Sequence, residues 1–346
     1  MTALDVLARE ISGVWVIVDD DGLVIDSHDP DTVALQPPVT DTLLSGADWE
    51  RASEYLERGA FVLEDVVLGQ QHLPAGRRLI YVMHHLPQLR PFQLRFMGGM
   101  RAVTPDGEIL RPPRIEKVQL LLLAVALGRA GRISRAEIAA MLWPGKPPKA
   151  ARDSLRVLIR RVRDRERAAL GGILVTEEAK DGLHLNETDF TFDLEMLFAT
   201  FTVVAALLRD RHESAACVVA DRTLRWLLSQ GDDLALRFEE MDLLPETESI
   251  ARRAEIELSL ITAVIVGRSR RIGAPFPQRL ELLERMMRSM RRTTLLAWIA
   301  VREAREHDMP HAAHVFYDRF YAPVSPDPLP FEEMARIAQK GALLPE

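Results

Sequence analysis

Two stretches decide how this chain is read: Ile133-Ser-Arg-Ala-Glu-Ile-Ala-Ala-Met-Leu-Trp143 and Lys149-Ala-Ala-Arg-Asp-Ser-Leu-Arg-Val-Leu-Ile-Arg-Arg-Val-Arg163. Ser134 followed three residues later by Glu137 is a capping-box pattern, so a helix is expected to start there. Pro144 and Gly145 stop it, and Pro147-Pro148 precede the second helix. Turning about 100° per residue, Ala151, Leu155, Leu158, Ile159 and Val162 fall on one apolar face of that second helix. Arg152, Arg156, Arg160, Arg163 and Arg167 form a stripe beside it, with Arg161 and Arg165 further round. Asp153, Asp164 and Glu166 offer nearby neutralisation. A solvated face needs charge, but not seven arginines against three acids. The planar guanidinium pairs bidentately with guanine or phosphate, so the pattern predicts a basic helix held by an apolar support helix and aimed at the major groove of DNA. Arg135 is expected to add a phosphate contact, and Ser134 is read either as a second such contact or as the cap alone.

The net charge of −7 argues against a polyanion binder until it is divided along the chain. Residues 91–190 hold 18 Lys/Arg against 12 Asp/Glu, a balance of +6 that leaves −13 elsewhere. Residues 1–90 alone hold 6 basic and 15 acidic side chains. A basic central module between acidic flanks keeps a local patch for nucleic acid while damping indiscriminate attraction to polyanions. The 346 residues suffice for two or three domains. No stretch of 18 uninterrupted apolar residues occurs, and the N-terminus has no basic-then-apolar leader pattern, so neither membrane insertion nor secretion is expected. The single cysteine, Cys217, excludes an internal disulfide and fits a cytoplasmic location. Its apolar neighbours mark it as a small core residue.

Three segments are expected, giving a multidomain α+β chain. In residues 1–90, Val14-Trp-Val-Ile-Val18 and Leu23-Val-Ile25 flank the turn Asp19-Asp-Asp-Gly22, a hairpin signal. A helix over Ala47–Arg58 and strands over Phe61–Leu68 and Leu79–His85 complete a small α/β domain. The strand–strand–helix–strand–strand order resembles an abbreviated PAS-like sensor domain. The acidic cluster at 19–21 also resembles the opening of a receiver domain, but a strand rather than a helix follows it, which favours a solvated turn. Residues 91–190 begin with a strand at Phe92-Gln-Leu-Arg-Phe-Met-Gly98, a turn at Asp106-Gly107 and a buried helix over Val118–Ala126. They close with a hairpin of Ile173–Val175 and Leu183–Leu185 around Asp181-Gly182. Residues 191–346 read as all helix: 194–208, 215–228, 246–266, 280–290, 293–307 and 310–317, in pairs of tetratricopeptide-like length.

Phe96-Met-Gly98, Asp106-Gly107, Val118-Gln-Leu-Leu-Leu-Leu123, Ile133-Ser-Arg135 and Leu142-Trp143 together resemble an OmpR/PhoB-type winged helix-turn-helix. The version is that of the bacterial antibiotic-regulatory (SARP) transcriptional activators, and Ala151–Arg163 is similar to that family's recognition helix. Leu244-Pro-Glu246, Arg252-Arg253, Glu257-Leu258 and Leu282–Phe320 are similar to the family's helical bacterial transcriptional activator domain. The resemblance implies a transcription regulator that binds double-stranded promoter DNA and contacts RNA polymerase; a homodimer is expected because one winged helix reads only a short site. It implicates Lys149, Arg152, Ser154, Arg156, Val157, Arg160, Arg161 and Arg163 in DNA contact, with Val157 placed against a thymine methyl. Lys180 and His184 would represent weak wing contacts, because Glu177 and Glu178 stand where the family has basic neighbours. The family also usually begins with the winged helix, so residues 1–90 are an addition, with a ligand or protein partner of their own to be found.

Nothing in the sequence points to catalysis. No zinc-spaced His/Cys set, phosphate-binding Gly loop or Gly-x-Ser-x-Gly elbow occurs, and His84-His85 alternate across a strand, so neither cofactor nor metal is expected. A different class of reading stays open: a protein-interaction scaffold whose winged helix no longer binds DNA, as the acidic wing and the −13 outside the module would suit.

Overall fold

The computed structural model describes residues 15–18, 24–28, 60–63, 65–73, 76, 78–90, 92–104, 108–110, 121, 133–166, 174–177, 182–185, 190–229, 231, 233–235, 245–291 and 293–339. The chain is a mixed α+β protein that divides into two compact units. One is residues 1–87 with 200–221, the other 88–199 with 222–346. Among the described residues no helix is long and apolar enough to cross a membrane.

The first unit is built on five strands: β1 (Trp15–Val18), β2 (Val24–His28), β3 (Ala60–Leu63), β4 (Val66–His72) and β5 (Arg78–His85). They pair antiparallel throughout in the order β2-β1-β5-β4-β3. β1 and β2 flank the Asp-Asp-Asp-Gly segment as expected. Phe61–Leu68, expected as one strand, is instead two: Leu63 faces Val66, with Asp65 in the turn between them. Two adjacent carboxylates interrupt the apolar run in the sequence, and folding there brings Val62 opposite Val67 while Asp65 stays at the turn. Ile17, Val67, Leu68, Leu79 and Ile80 are buried. The helix expected over 47–58 lies outside the described residues.

The second unit contains two further sheets. β6 (Phe92–Arg95), β7 (Arg101–Val103) and β8 (Ile109–Leu110) run antiparallel, and β12 (Phe190–Phe192) joins β6 in parallel. β9 (Ile133–Ser134), β10 (Leu174–Glu177) and β11 (Gly182–Leu185) form a three-stranded sheet in the order β10-β11-β9. Between β9 and β10 lie α1 (Arg135–Leu142) and α2 (Pro148–Glu166). The helix expected over 118–126 is described only at Leu121, which is helical and fully buried.

The remaining helices are α3 (Asp193–Arg209), α4 (Glu213–Leu228), α5 (Pro245–Arg271), α6 (Phe276–Ser289), α7 (Thr294–Glu306), α8 (Pro310–Phe316) and α9 (Phe331–Gln339), with a π-helical turn at Tyr317–Tyr321. The helices expected over residues 191–346 are all present, with α5 and α6 longer than expected. α7 packs against α5, α6, α8 and α9. It is accordingly apolar around its circumference, with Leu296, Ala297, Trp298, Ile299, Ala300, Val301 and Ala304 all buried. Its one buried acid, Glu303, is satisfied by Arg279 at 2.9 Å and lies 3.5 Å from Arg270. α9 was not expected, although Phe331, Met334, Ala335 and Ala338 follow helical spacing and the last three are buried.

The boundary expected at 190 falls inside the second unit. Phe190-Thr-Phe192 completes the sheet begun by Phe92-Gln-Leu94, residue for residue. Asp193, the first residue of α3, then accepts hydrogen bonds from the backbone N–H groups of Phe96 and Met97, both at 2.8 Å, and from that of Leu194 at 2.9 Å. Burial raises the pKa of this fully buried carboxyl, opposed by the Met97 and Phe96 hydrogen bonds and by Arg95. Arg95, itself buried, donates to the carbonyls of Trp226 and Leu227 at the end of α4 and lies 4.4 Å over the Trp226 ring. These carbonyls are ones a helix end leaves unpaired, so the guanidinium caps α4. Desolvation lowers its pKa to about 10, which leaves it cationic at neutral pH.

The turn after β6 is equally constrained. Gly98 has φ +68°, and a Cβ there would stand 2.2 Å from the Asp233 carbonyl oxygen. Its N–H donates to Ala235, and Leu234 in turn donates to Ser289 at the end of α6. Gly98→Ala is expected to destabilise the protein by about 3 kcal/mol, combining left-handed strain with a backbone clash. Chemical denaturation would measure it, and a loss below 1 kcal/mol would mean that the 233–235 segment is not held against this turn.

Candidate nucleic-acid interface

The capping box expected at Ser134 is formed. Its hydroxyl accepts from the Glu137 N–H at 3.1 Å, and the Glu137 carboxylate accepts from the Ser134 N–H at 3.0 Å. The Ser134 hydroxyl also donates to that carboxylate at 2.7 Å. These hydrogen bonds hold the Glu137 pKa below its ordinary value. Ser134 is also the last residue of β9, so one residue ends a strand and starts α1. Ser134→Ala should cost about 1 kcal/mol in an unfolding experiment; no measurable change would show that the strand pairing alone sets the start of α1.

α1 contributes Ile138, Ala139 and Leu142 to the core, and α2 packs against it. From α2, Ala151, Leu155, Leu158 and Ile159 are buried, as the apolar periodicity requires. The wet side holds Lys149, Arg152, Arg156, Arg160 and Arg161, all exposed, with Val157 among them. Arg156 has 76% of its side chain exposed and sits 3.5 Å from Asp153, itself 58% exposed. An ion pair this open is weak and competes poorly with a phosphate. The basic stripe is therefore presented on a helix whose opposite face is locked into the core.

The other expected contact residues divide. Arg135 is half-buried at the first position of α1. Ser154 is half-buried too, and its hydroxyl is engaged: it donates to the Ala150 carbonyl and accepts from Lys146 Nζ, both at 2.9 Å. A base contact by Ser154 would first have to break that joint between the loop and α2. Lys146, which the sequence reading did not single out, also lies 5.5 Å over the Trp143 ring and so pins the loop between the helices. Arg163 lies within α2, but its side chain, like Lys180, is outside the described residues. Asp153 was counted only as a neutralising acid, yet it stands on the outward side of α2. On a helical wheel it lies opposite the centre of the buried face.

The hairpin expected over 173–185 is formed by β10 and β11, with Glu177 opposite Gly182 at the end of the pairing. The hairpin is closed against β9 through Ser134↔Gly182 and Ile133↔Leu183, with Leu183 fully buried. A carboxylate beside the tip repels phosphate, so this edge is poorly suited to a minor-groove contact. Among the described residues, no group of His, Cys, Asp or Glu is arranged to hold a metal ion. Neither a family model nor a curated protein matches the chain.

Proposed function

We propose that this protein is a sequence-selective, DNA-binding transcription regulator in which α2 enters the major groove. One observation carries the reading: α2 buries Ala151, Leu155, Leu158 and Ile159 while leaving Lys149, Arg152, Arg156, Arg160 and Arg161 exposed. A helix supported in this way can present guanidinium groups without losing its position. The β9–α1–α2–β10–β11 order, with β9 closing the hairpin sheet, is the arrangement expected of a winged helix-turn-helix and supports the SARP-like resemblance. In that reading the helices after residue 191 are a TPR-like activator domain for self-association or contact with RNA polymerase. The antiparallel β2-β1-β5-β4-β3 sheet supports a PAS-like, sensory or dimerising role for residues 1–90. Dimerisation fits because one helix reads a short site, and paired half-sites raise affinity and specificity together.

Binding of the full-length protein to duplex DNA across a salt series tests the proposal. The logarithm of the affinity should fall linearly with the logarithm of salt concentration, because each neutralised phosphate releases condensed counterions. Mapping of bound sites across the genome should return a common motif. Absence of salt-sensitive binding would overturn the proposal. Glu177 beside the wing tip favours a second reading, an interaction scaffold without DNA binding, which predicts a retained protein partner instead.

A further inference from the structure

α2 carries information beyond its charge. Turning about 100° per residue, Asp153, Val157 and Arg160 lie roughly opposite the centre of the buried face formed by Ala151, Leu155, Leu158 and Ile159. Arg156 falls on one flank of that outward line and Arg161 on the other. Asp153 is the one acidic residue between Pro148 and Arg161, and Val157 is 51% exposed at the middle of the helix.

Neither residue is explained by folding. Val is a poorer helix former than Arg, Lys or Ala, and at this exposure its packing contributes little. A carboxylate on an arginine-lined face opposes phosphate binding wherever it meets the backbone. On the centre line it would meet base edges instead, while the flanking arginines meet the phosphates on both sides of the groove. Two features of the major-groove edge suit these side chains. The N4 amino group of cytosine donates to a carboxylate, and the 5-methyl group of thymine packs against an aliphatic side chain. Four residues of helix advance about 6 Å, close to two base-pair steps.

We propose that Asp153 and Val157 form the base-reading line of α2, selecting a duplex in which a cytosine and a thymine lie about two base pairs apart. Asp153 accepts from the cytosine N4–H and releases Arg156, now 3.5 Å away, to a phosphate. Val157 covers the thymine methyl. The inference rests on the DNA-binding reading above, which already set Val157 against a thymine methyl, and adds the base read by Asp153 and the spacing between the two.

The test is enrichment of the full-length protein from random duplexes, followed by affinity measurements on the selected site. Thymine is replaced there by deoxyuridine, which removes only the methyl group. The expected loss is about fourfold at one position, the worth of one buried methyl. Val157→Ala should lose that discrimination while keeping the salt slope, since no phosphate contact is removed. Asp153→Asn should relax the cytosine preference by about tenfold. Helical content by circular dichroism establishes that both surface variants are folded. A selected site indifferent to deoxyuridine and to both substitutions would overturn the inference while leaving DNA binding intact. Salt-sensitive binding without an enriched motif would also overturn it. Absence of any duplex binding would overturn the DNA-binding reading itself, and this one with it.

Discussion

Arg156→Ala and Arg160→Ala should each weaken duplex binding by about tenfold or more, and together by the largest factor available to surface substitutions in this protein. A bidentate arginine–guanine pair is worth about 1–3 kcal/mol, and a phosphate contact removes about one unit from the salt slope. The two roles can be separated by experiment. If an arginine reads a base, its loss relaxes the selected motif at one position. If it holds a phosphate, affinity falls evenly across sequences and the salt slope flattens. Neither change should affect folding, because both side chains are exposed and the buried face of α2 is untouched. Unchanged affinity in both variants at ~0.15 M salt, where exposed charges are already screened beyond about 8 Å, would end the assignment. Arg336→Ala, an exposed arginine on α9, is the matched control and should change neither quantity.

Asp193→Ala should produce the largest stability loss, about 3–5 kcal/mol. The carboxyl is fully buried and accepts from three backbone N–H groups, those of Phe96, Met97 and Leu194. Removing it strands those donors and leaves the Arg95 guanidinium without its acidic neighbour. An orphaned buried donor costs about 1–3 kcal/mol, and three are left together here. The whole stability of a domain is only about 5–15 kcal/mol, so the variant should approach unfolding at ambient temperature. Urea denaturation followed by far-ultraviolet circular dichroism would measure it. A shift of under 1 kcal/mol would show that the β6 turn and the start of α3 are joined by other contacts. The pH dependence of this joint has a definite sign. Burial raises the Asp193 pKa, so its contribution is complete below the ordinary value of 3.8 and declines as pH rises through the folded-state value. Acidification alone should therefore leave this joint intact.

Much of the candidate interface was legible because its determinants are local. A capping box needs two residues three apart, and the stabilising partners of Ser134 lie within its own first turn. The buried face of α2 follows from a period of 3.6 over one continuous segment, and Ala151, Leu155, Leu158 and Ile159 obey it. The α9 signal is equally local; its apolar spacing from Phe331 to Ala338 is as regular as that of α2. The division of Phe61–Leu68 was harder, because an apolar run broken by two acids suits either a bulged strand or a tight turn. Pairing of β4 with β5 decides between them, through partners such as His72↔Arg78 that lie across a loop.

What the sequence determined by itself was the identity of the locally specified elements: the β1–β2 and β10–β11 hairpins, most of the helices, and which side of α2 is wet. Those depend on periodicity and caps, which act within a few residues. Tertiary structure alone decided that Phe190–Phe192 would run parallel to Phe92–Leu94, that Asp193 would close on Phe96 and Met97, and that Arg95 would cap α4 from 131 residues away. Each joins groups separated by about a hundred residues, and no local preference specifies the partner. A buried charge or an unpaired strand edge is stable only where a distant segment supplies its hydrogen bonds, so those choices exist only once the chain has closed on itself.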